Sequence, residues 1–312
     1  MRLWFVILLA MGLLACPGET PAPKTDTDAG ASTAPEEKAS DPVAKGPALV
    51  PTDPATWVIE TKTRDRRNMV KVQGSKFLRG SVDGDGHETE RPRASLRLET
   101  YWIDRSPVTV SQFDRCVQAN RCKETTFSTG RQKKTHLTRP EDCNYGVEGR
   151  EEHPMNCVSW FGARAYCRWA EKKLVTEAQW EKAARGSDAR TYPWGHDAPT
   201  CERGCFESAG GKACDRGEDA PYTCEVGKAE TGASPYGALD MAGNVWEWTD
   251  DGWSPSFYRD DPEAIENTSR TDEHPVRGGS ASSNADALRS ARRIAIKGGA
   301  TPAFVGFRCA LD

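Results

Sequence analysis

Leu174-Val175-Thr176-Glu177-Ala178-Gln179-Trp180-Glu181 contains a well-marked helix start. Thr176 and Gln179 form a capping box, in which each side chain reaches the other's backbone amide. Glu177, Trp180, Ala183 and Ala184 continue the helix until Gly186 offers a C-terminal stop. Upstream, Ser159 caps a second helix, with Ala163, Tyr166, Cys167 and Ala170 recurring at helical spacing. A third helix is expected over Ser111 to Gln118. Elsewhere short strands, such as Ser95 to Trp102, lie between long loops containing glycine and proline. Few helices, sparse strands and long loops predict an irregular, loop-rich α+β fold and exclude a doubly wound sheet.

Outward from that region, the composition narrows the function. The 312 residues carry 42 Lys+Arg against 46 Asp+Glu, a net charge of -4. So balanced a chain shows no sign of the basic footprint that nucleic acid requires, and no nucleic-acid partner is expected. The hydrophobic fraction of 37% supplies a core, while the mean hydropathy of -0.69 requires some strongly polar segment. No apolar run reaches the roughly 18 residues needed to span a bilayer as a helix.

The N-terminal residues read as signal and tether. Arg2, the apolar run Leu3 to Leu14, and then Ala15-Cys16 resemble the lipobox of bacterial lipoproteins. That resemblance implies cleavage before Cys16 and lipidation of its thiol, which anchors the chain to a membrane of the bacterial cell envelope. From Pro17 to Thr56 proline, alanine, threonine, serine and charges dominate, and no aromatic residue occurs between Phe5 and Trp57. Such a segment buries too little apolar surface to offset its ordering entropy, so a disordered tether is expected. Residues 57–312 then form one large domain.

Eleven cysteines, less the lipidated one, leave ten. An exported chain meets an oxidising compartment, where such thiols pair. Metal binding by these cysteines is not expected: no C-x-x-C occurs, and the five histidines are scattered. Connectivity stays open at this stage. Cys116 and Cys122 are local, Cys143 and Cys157 flank a polar loop, and Cys201, Cys205, Cys214 and Cys224 cluster in a glycine-rich segment.

Further blocks are more specific. Gly74-Ser75-Lys76-Phe77-Leu78-Arg79-Gly80-Ser81 and Tyr101-Trp102-Ile103-Asp104 come first, then His153-Pro154-Met155-Asn156-Cys157-Val158-Ser159-Trp160. The helix start quoted above precedes Tyr192-Pro193-Trp194-Gly195 and Gly243-Asn244-Val245-Trp246-Glu247-Trp248. Val276-Arg277-Gly278-Gly279-Ser280 and Gly306-Phe307-Arg308-Cys309 close the chain. This ordered series resembles the sulfatase-modifying factor family, the formylglycine-generating enzymes, over roughly Asn68 to Leu311.

The resemblance implies a C-type lectin-like fold. Its catalytic members oxidise a cysteine of a client sulfatase to formylglycine, using oxygen and copper held by two cysteines that follow the Arg-Gly-Gly-Ser motif. Here Ser280 is kept, but those positions hold Ser283 and Leu288, with Asn284 in place of a histidine. Copper(I) is soft and selected by thiolate, so neither a serine hydroxyl nor a leucine substitutes, and copper is not expected. The resemblance also implies a Cys167–Cys309 bond, and a structural calcium site of Asp240, Gly243, Val245 and Glu247, an oxygen set suited to a hard ion. A second calcium site, at Cys205, Phe206, Asp219 and Pro221, lacks the asparagine expected at Cys205. Asp83-Gly84-Asp85-Gly86 is read as a solvated turn, Trp246 and Trp248 as core, and Phe257 and Tyr258 as surface contacts. Arg277, Arg292 and Arg293, with Arg289, place charge near the inherited groove, where they receive a carboxylate-rich partner or pair with acidic neighbours. The expectation is a binding module for a peptide, protein or glycan. A protein-modifying oxidase and a structural envelope subunit are the alternatives.

Overall fold

The three helices read from the sequence all form. A computed structural model describes residues 54–61, 63–65, 67–128, 142–208, 212–214 and 222–312. The lipobox Cys16, the tether up to residue 53, and Asp219 and Pro221 of the second calcium set lie outside the described residues. Helix α1 spans Val110–Gln118, α2 Trp160–Trp169, α3 Glu177–Arg185, and a single turn, α4, Phe257–Asp260. α1 and α3 each start in a full capping box, Thr109 with Gln112 and Thr176 with Gln179. Ser159 accepts the Gly162 N–H at the start of α2. Gly186 follows α3 at φ 68°, a backbone region that strains any residue with a Cβ.

Among the described residues the strands, numbered in chain order, build two sheets and two ribbons. One sheet runs β1 (Ile59–Thr61), β2 (Asn68–Val72), β5 (Tyr101–Asp104), β13 (Cys309–Leu311), β6 (Lys173–Leu174), antiparallel throughout. The other runs β11 (Arg293–Lys297), β10 (Glu273–Arg277), β9 (Trp246–Trp248), β12 (Val305–Phe307), with β9 and β12 parallel. The ribbons are β3 (Ser75–Arg79) with β4 (Ala94–Leu98), and β7 (Glu207–Ser208) with β8 (Lys212–Ala213).

The single strand expected over Ser95 to Trp102 is two strands in different sheets. Leu98 and Tyr101 are both buried, yet three residues apart on one straight strand they would face opposite ways. A break at Glu99 and Thr100 turns both inward, and the Thr100 hydroxyl accepts the Gly74 N–H at 2.9 Å.

Two apolar clusters hold the elements together. One joins α1 and α2 to the β9–β12 sheet through Phe113, Tyr166, Trp248 and Phe307, with Phe113 stacked on Tyr166 at 5.7 Å. The other seats α3 on the five-stranded sheet through Trp180, Val70, Tyr101 and Ile103. Trp246 and Trp248 are buried in the first cluster, as the core reading expects. The chain forms the disulfides Cys116–Cys122, Cys143–Cys157, Cys167–Cys309, Cys201–Cys214 and Cys205–Cys224. Among the described residues no helix is long and apolar enough to cross a membrane.

Candidate functional site

After β10 the chain turns through Gly278 and Gly279, both at positive φ, into the segment that starts at Ser280. Ser283 Oγ accepts the Ser280 N–H at 2.9 Å and lies 3.2 Å from Ser280 Oγ. Ser282 Oγ is 2.6 Å from the Tyr222 hydroxyl. Asn284 faces solvent and caps a turn, its Oδ1 accepting the Ala287 N–H at 3.2 Å. Leu288 is fully buried in an apolar cluster with Tyr192, Phe206 and Ala242. The position the resemblance gives to a second thiol is therefore a packed core position. The serines hydrogen-bond to one another, to backbone and to Tyr222. Activating a serine needs a base within hydrogen-bond reach, and none of these contacts supplies one.

Of the two roles weighed for the arginines, pairing with acidic neighbours is the one the structure shows. Arg277 and Arg293 are fully buried. Arg277 spans Glu177 at 2.9 Å and Glu181 at 2.7 Å, while Arg293 grips both oxygens of Glu177 at 2.7 Å. Burial by itself raises the Glu181 pKa, but Arg277 and then Arg185 outweigh it and hold the group at about 2. Arg289 makes a two-pronged pair with buried Glu90 at 2.7 and 3.0 Å, and Arg292 reaches the same carboxylate at 3.6 Å. These cations bind α3 and the Glu88–Glu90 turn to the β10–β11 hairpin, so they are structural. Tyr258, expected at the surface, is part of the same buried cluster. It is buried between the guanidinium groups of Arg79 and Arg293, 3.9 and 4.2 Å from its ring centre.

The four-residue calcium set comes together only in part. Asp240 is buried, and one of its oxygens accepts the Gly227 N–H at 2.6 Å. Burial lifts its pKa to about 6, as expected for a carboxylate short of positive partners. Gly243 sits at φ 90°, where a Cβ would fall 2.4 Å from the Cys205 carbonyl oxygen. Glu247 has a different task. Arg308 donates to both its oxygens at 2.6 and 2.7 Å, and the Trp180 indole donates at 2.9 Å. A carboxylate so occupied, beside a fixed guanidinium, does not suit a dication, and the full set does not fit calcium. Among the described residues no group of three or more His, Cys, Asp or Glu is placed to hold a metal ion.

With this geometry in place, comparison with known proteins decides the lineage. A profile of the sulfatase-modifying factor enzyme 1-like domain matches residues 55–312. The chain belongs to this family. The formylglycine-generating enzyme of Streptomyces coelicolor is 31% identical, the match covering 80% of this chain and 91% of that protein. The inactive C-alpha-formylglycine-generating enzyme 2 of Bos taurus is 29% identical over 78% of this chain and 87% of its own length. The serine/threonine-protein kinase pkn1 of Chlamydia caviae is 32% identical over 78% of this chain. There the match spans only 37% of the kinase's length. The solved structure of PvdO from Pseudomonas aeruginosa superimposes with a TM-score of 0.66 at 19% identity, covering 85% of this chain and all of PvdO. That likeness is one of fold.

Within this sulfatase-modifying factor domain, the sequence placed Ser280, Ser283, Asn284 and Leu288 in one segment, and they form one. It missed Glu177, Glu181 and Glu90 as internal counter-ions. The helical spacing of Glu177 and Glu181 puts both on one face of α3, and that was the available signal.

Proposed function

We propose that this protein is a lipid-anchored bacterial envelope protein whose sulfatase-modifying factor domain binds a peptide, protein or glycan and has given up copper-dependent oxidation. The observation that carries the reading is Leu288. A second thiol ligand would have to stand where an aliphatic side chain is packed against Tyr192 and Phe206. All ten cysteines of the domain are engaged in disulfides, so none is left as a thiolate. That one relative carries the name of an inactive formylglycine-generating enzyme supports the same reading.

The test is co-expression with a sulfatase peptide, followed by mass spectrometry of its cysteine. An unmodified cysteine, together with no stoichiometric uptake of cuprous ion, is expected. Conversion to the aldehyde overturns the reading. For the anchor, Cys16→Ala should move the protein from the membrane fraction to the soluble one, and an unchanged membrane fraction would remove lipidation from the proposal.

A further inference from the structure

A concavity lies at the opposite end of β10 from Ser280. His274, near the start of β10, pairs with Ile296, whereas Arg277, at its end, pairs with Arg293 and leads to Gly278 and Ser280. The cavity by His274 is about 720 Å³, within the roughly 300–1,000 Å³ usual for small-ligand sites. Its walls are α2, the loop 267–272, and the residues that follow β11.

One wall is aromatic and rigid. The Trp160 ring stacks on His274 at 3.8 Å, lies 4.4 Å from the Arg164 guanidinium carbon, and donates its indole N–H to the Thr249 carbonyl at 2.8 Å. Trp160 is thereby used up inside the protein. Phe161, edge-on to it at 5.3 Å, is 56% exposed and presents a free aromatic surface.

The facing loop, Asn267-Thr268-Ser269-Arg270-Thr271-Asp272, is polar and pinned. The Asn267 N–H donates to Asp251 at 2.9 Å, its carbonyl accepts the Gly252 N–H at 2.8 Å, and its Oδ1 accepts the Ser269 N–H at 3.1 Å. Asn267 is only 8% exposed, yet its Nδ2 has no acceptor within the protein. Arg270 and Lys297 form no ion pair among the described residues, while Arg164 is matched by Asp250 at 2.8 Å. Three cations (Arg164, Arg270, Lys297) against two acids (Asp250, Asp272) leave one positive charge in excess. His274 adds none at neutral pH, because burial lowers its pKa.

We propose that this cleft binds an acidic saccharide of the uronic acid class, one sugar ring lying on Phe161 and its carboxylate facing Arg270 and Lys297. The electropositive C–H face of a sugar ring matches the negative face of an arene. Hydroxyl- and amide-bearing walls exchange hydrogen bonds with sugar hydroxyls. A guanidinium and an ammonium that make no ion pair among the described residues supply the anion partner. The site narrows the binding-module reading to one ligand class, and it stands apart from the segment at Ser280–Leu288.

The experiment is calorimetric titration of the full chain with trigalacturonate, with cellotriose as the neutral control and an oligoglutamate peptide as the acidic one. Trigalacturonate should bind, Phe161→Ala should weaken it about tenfold, and Arg270→Ala with Lys297→Ala should weaken it at least as much. Ser283→Ala should leave it unchanged. Phe161, Arg270 and Lys297 are exposed, so these variants fold. No binding of trigalacturonate, equal binding of cellotriose or oligoglutamate, or binding indifferent to Phe161→Ala overturns the proposal. Binding lost in Ser283→Ala and kept in Phe161→Ala overturns the location and leaves the binding-module reading standing.

Discussion

Arg277 shows how one residue can mislead when it is read alone. Next to two glycines and a serine that lead into the segment where the family resemblance places catalytic cysteines, an arginine suggests anion recognition. Its partners, Glu177 and Glu181, lie 100 and 96 residues upstream, and in the folded chain all three are buried together. Removing Arg277 leaves Glu177 to Arg293 and Glu181 to Arg185, but takes its hydrogen bonds away from two buried carboxylates and the Ser290 carbonyl, which costs about 3 kcal/mol. Arg277→Ala should therefore lower the urea midpoint strongly at pH 7, whereas Arg292→Ala, at the edge of the cluster with a side chain 22% exposed and a 3.6 Å contact, should cost about 1 kcal/mol or less. Equal effects would contradict the structural role. Leu288 misleads in the reverse sense: it looks like a lost ligand, and it is a packing residue that a cysteine would replace at the expense of the Tyr192–Phe206 cluster.

At the scale of elements, the helices were the most legible part. A capping box is a contact between residues three apart, so it is written in the sequence itself. All three expected helices begin within one residue of the expected start. The split between β4 and β5 was not legible, because each strand's partner comes from a distant segment. Disulfides occupy a middle ground. Oxidation of all ten could be read from their even number, whereas the pairing within the Cys201–Cys224 group required coordinates. Cys167–Cys309 closes a loop with a sequence separation of 142, against 6 for Cys116–Cys122. Loop-closure entropy then gives about 5 kcal/mol to the first bond and about 2 kcal/mol to the second. Replacing Cys167 and Cys309 by alanine should lower the denaturation midpoint well below that of the Cys116, Cys122 double variant. The reverse order would mean that native packing, not chain entropy, sets the cost.

For the whole molecule, four buried carboxylates fall into two groups with opposite pH behaviour. Glu181, at about 2 against 4.5 for the free residue, and Glu177, also lowered, stabilise the fold above pH 4.5; that contribution is lost as pH falls toward 2. Asp251 and Asp240 are raised by burial to about 7 and about 6, from 3.8. The folded state then holds extra protons between pH 4 and 7, so stability declines as pH rises through that window. A maximum near pH 4–5 is expected in urea midpoints measured from pH 2 to 8, with Asp251→Asn flattening the decline on the alkaline side. A midpoint rising steadily to pH 8 would contradict this assignment. Helix starts, the oxidised state of the cysteines, the family and the lack of any cysteine between Ala281 and Ile296 could be read from residue order, because each depends on near neighbours or on residue identity. Which arginines face solvent, where Glu247 spends its charge, and that Phe161 and the 267–272 loop share a cleft depended on packing, because burial and counter-ions come from segments that meet only when the chain is folded.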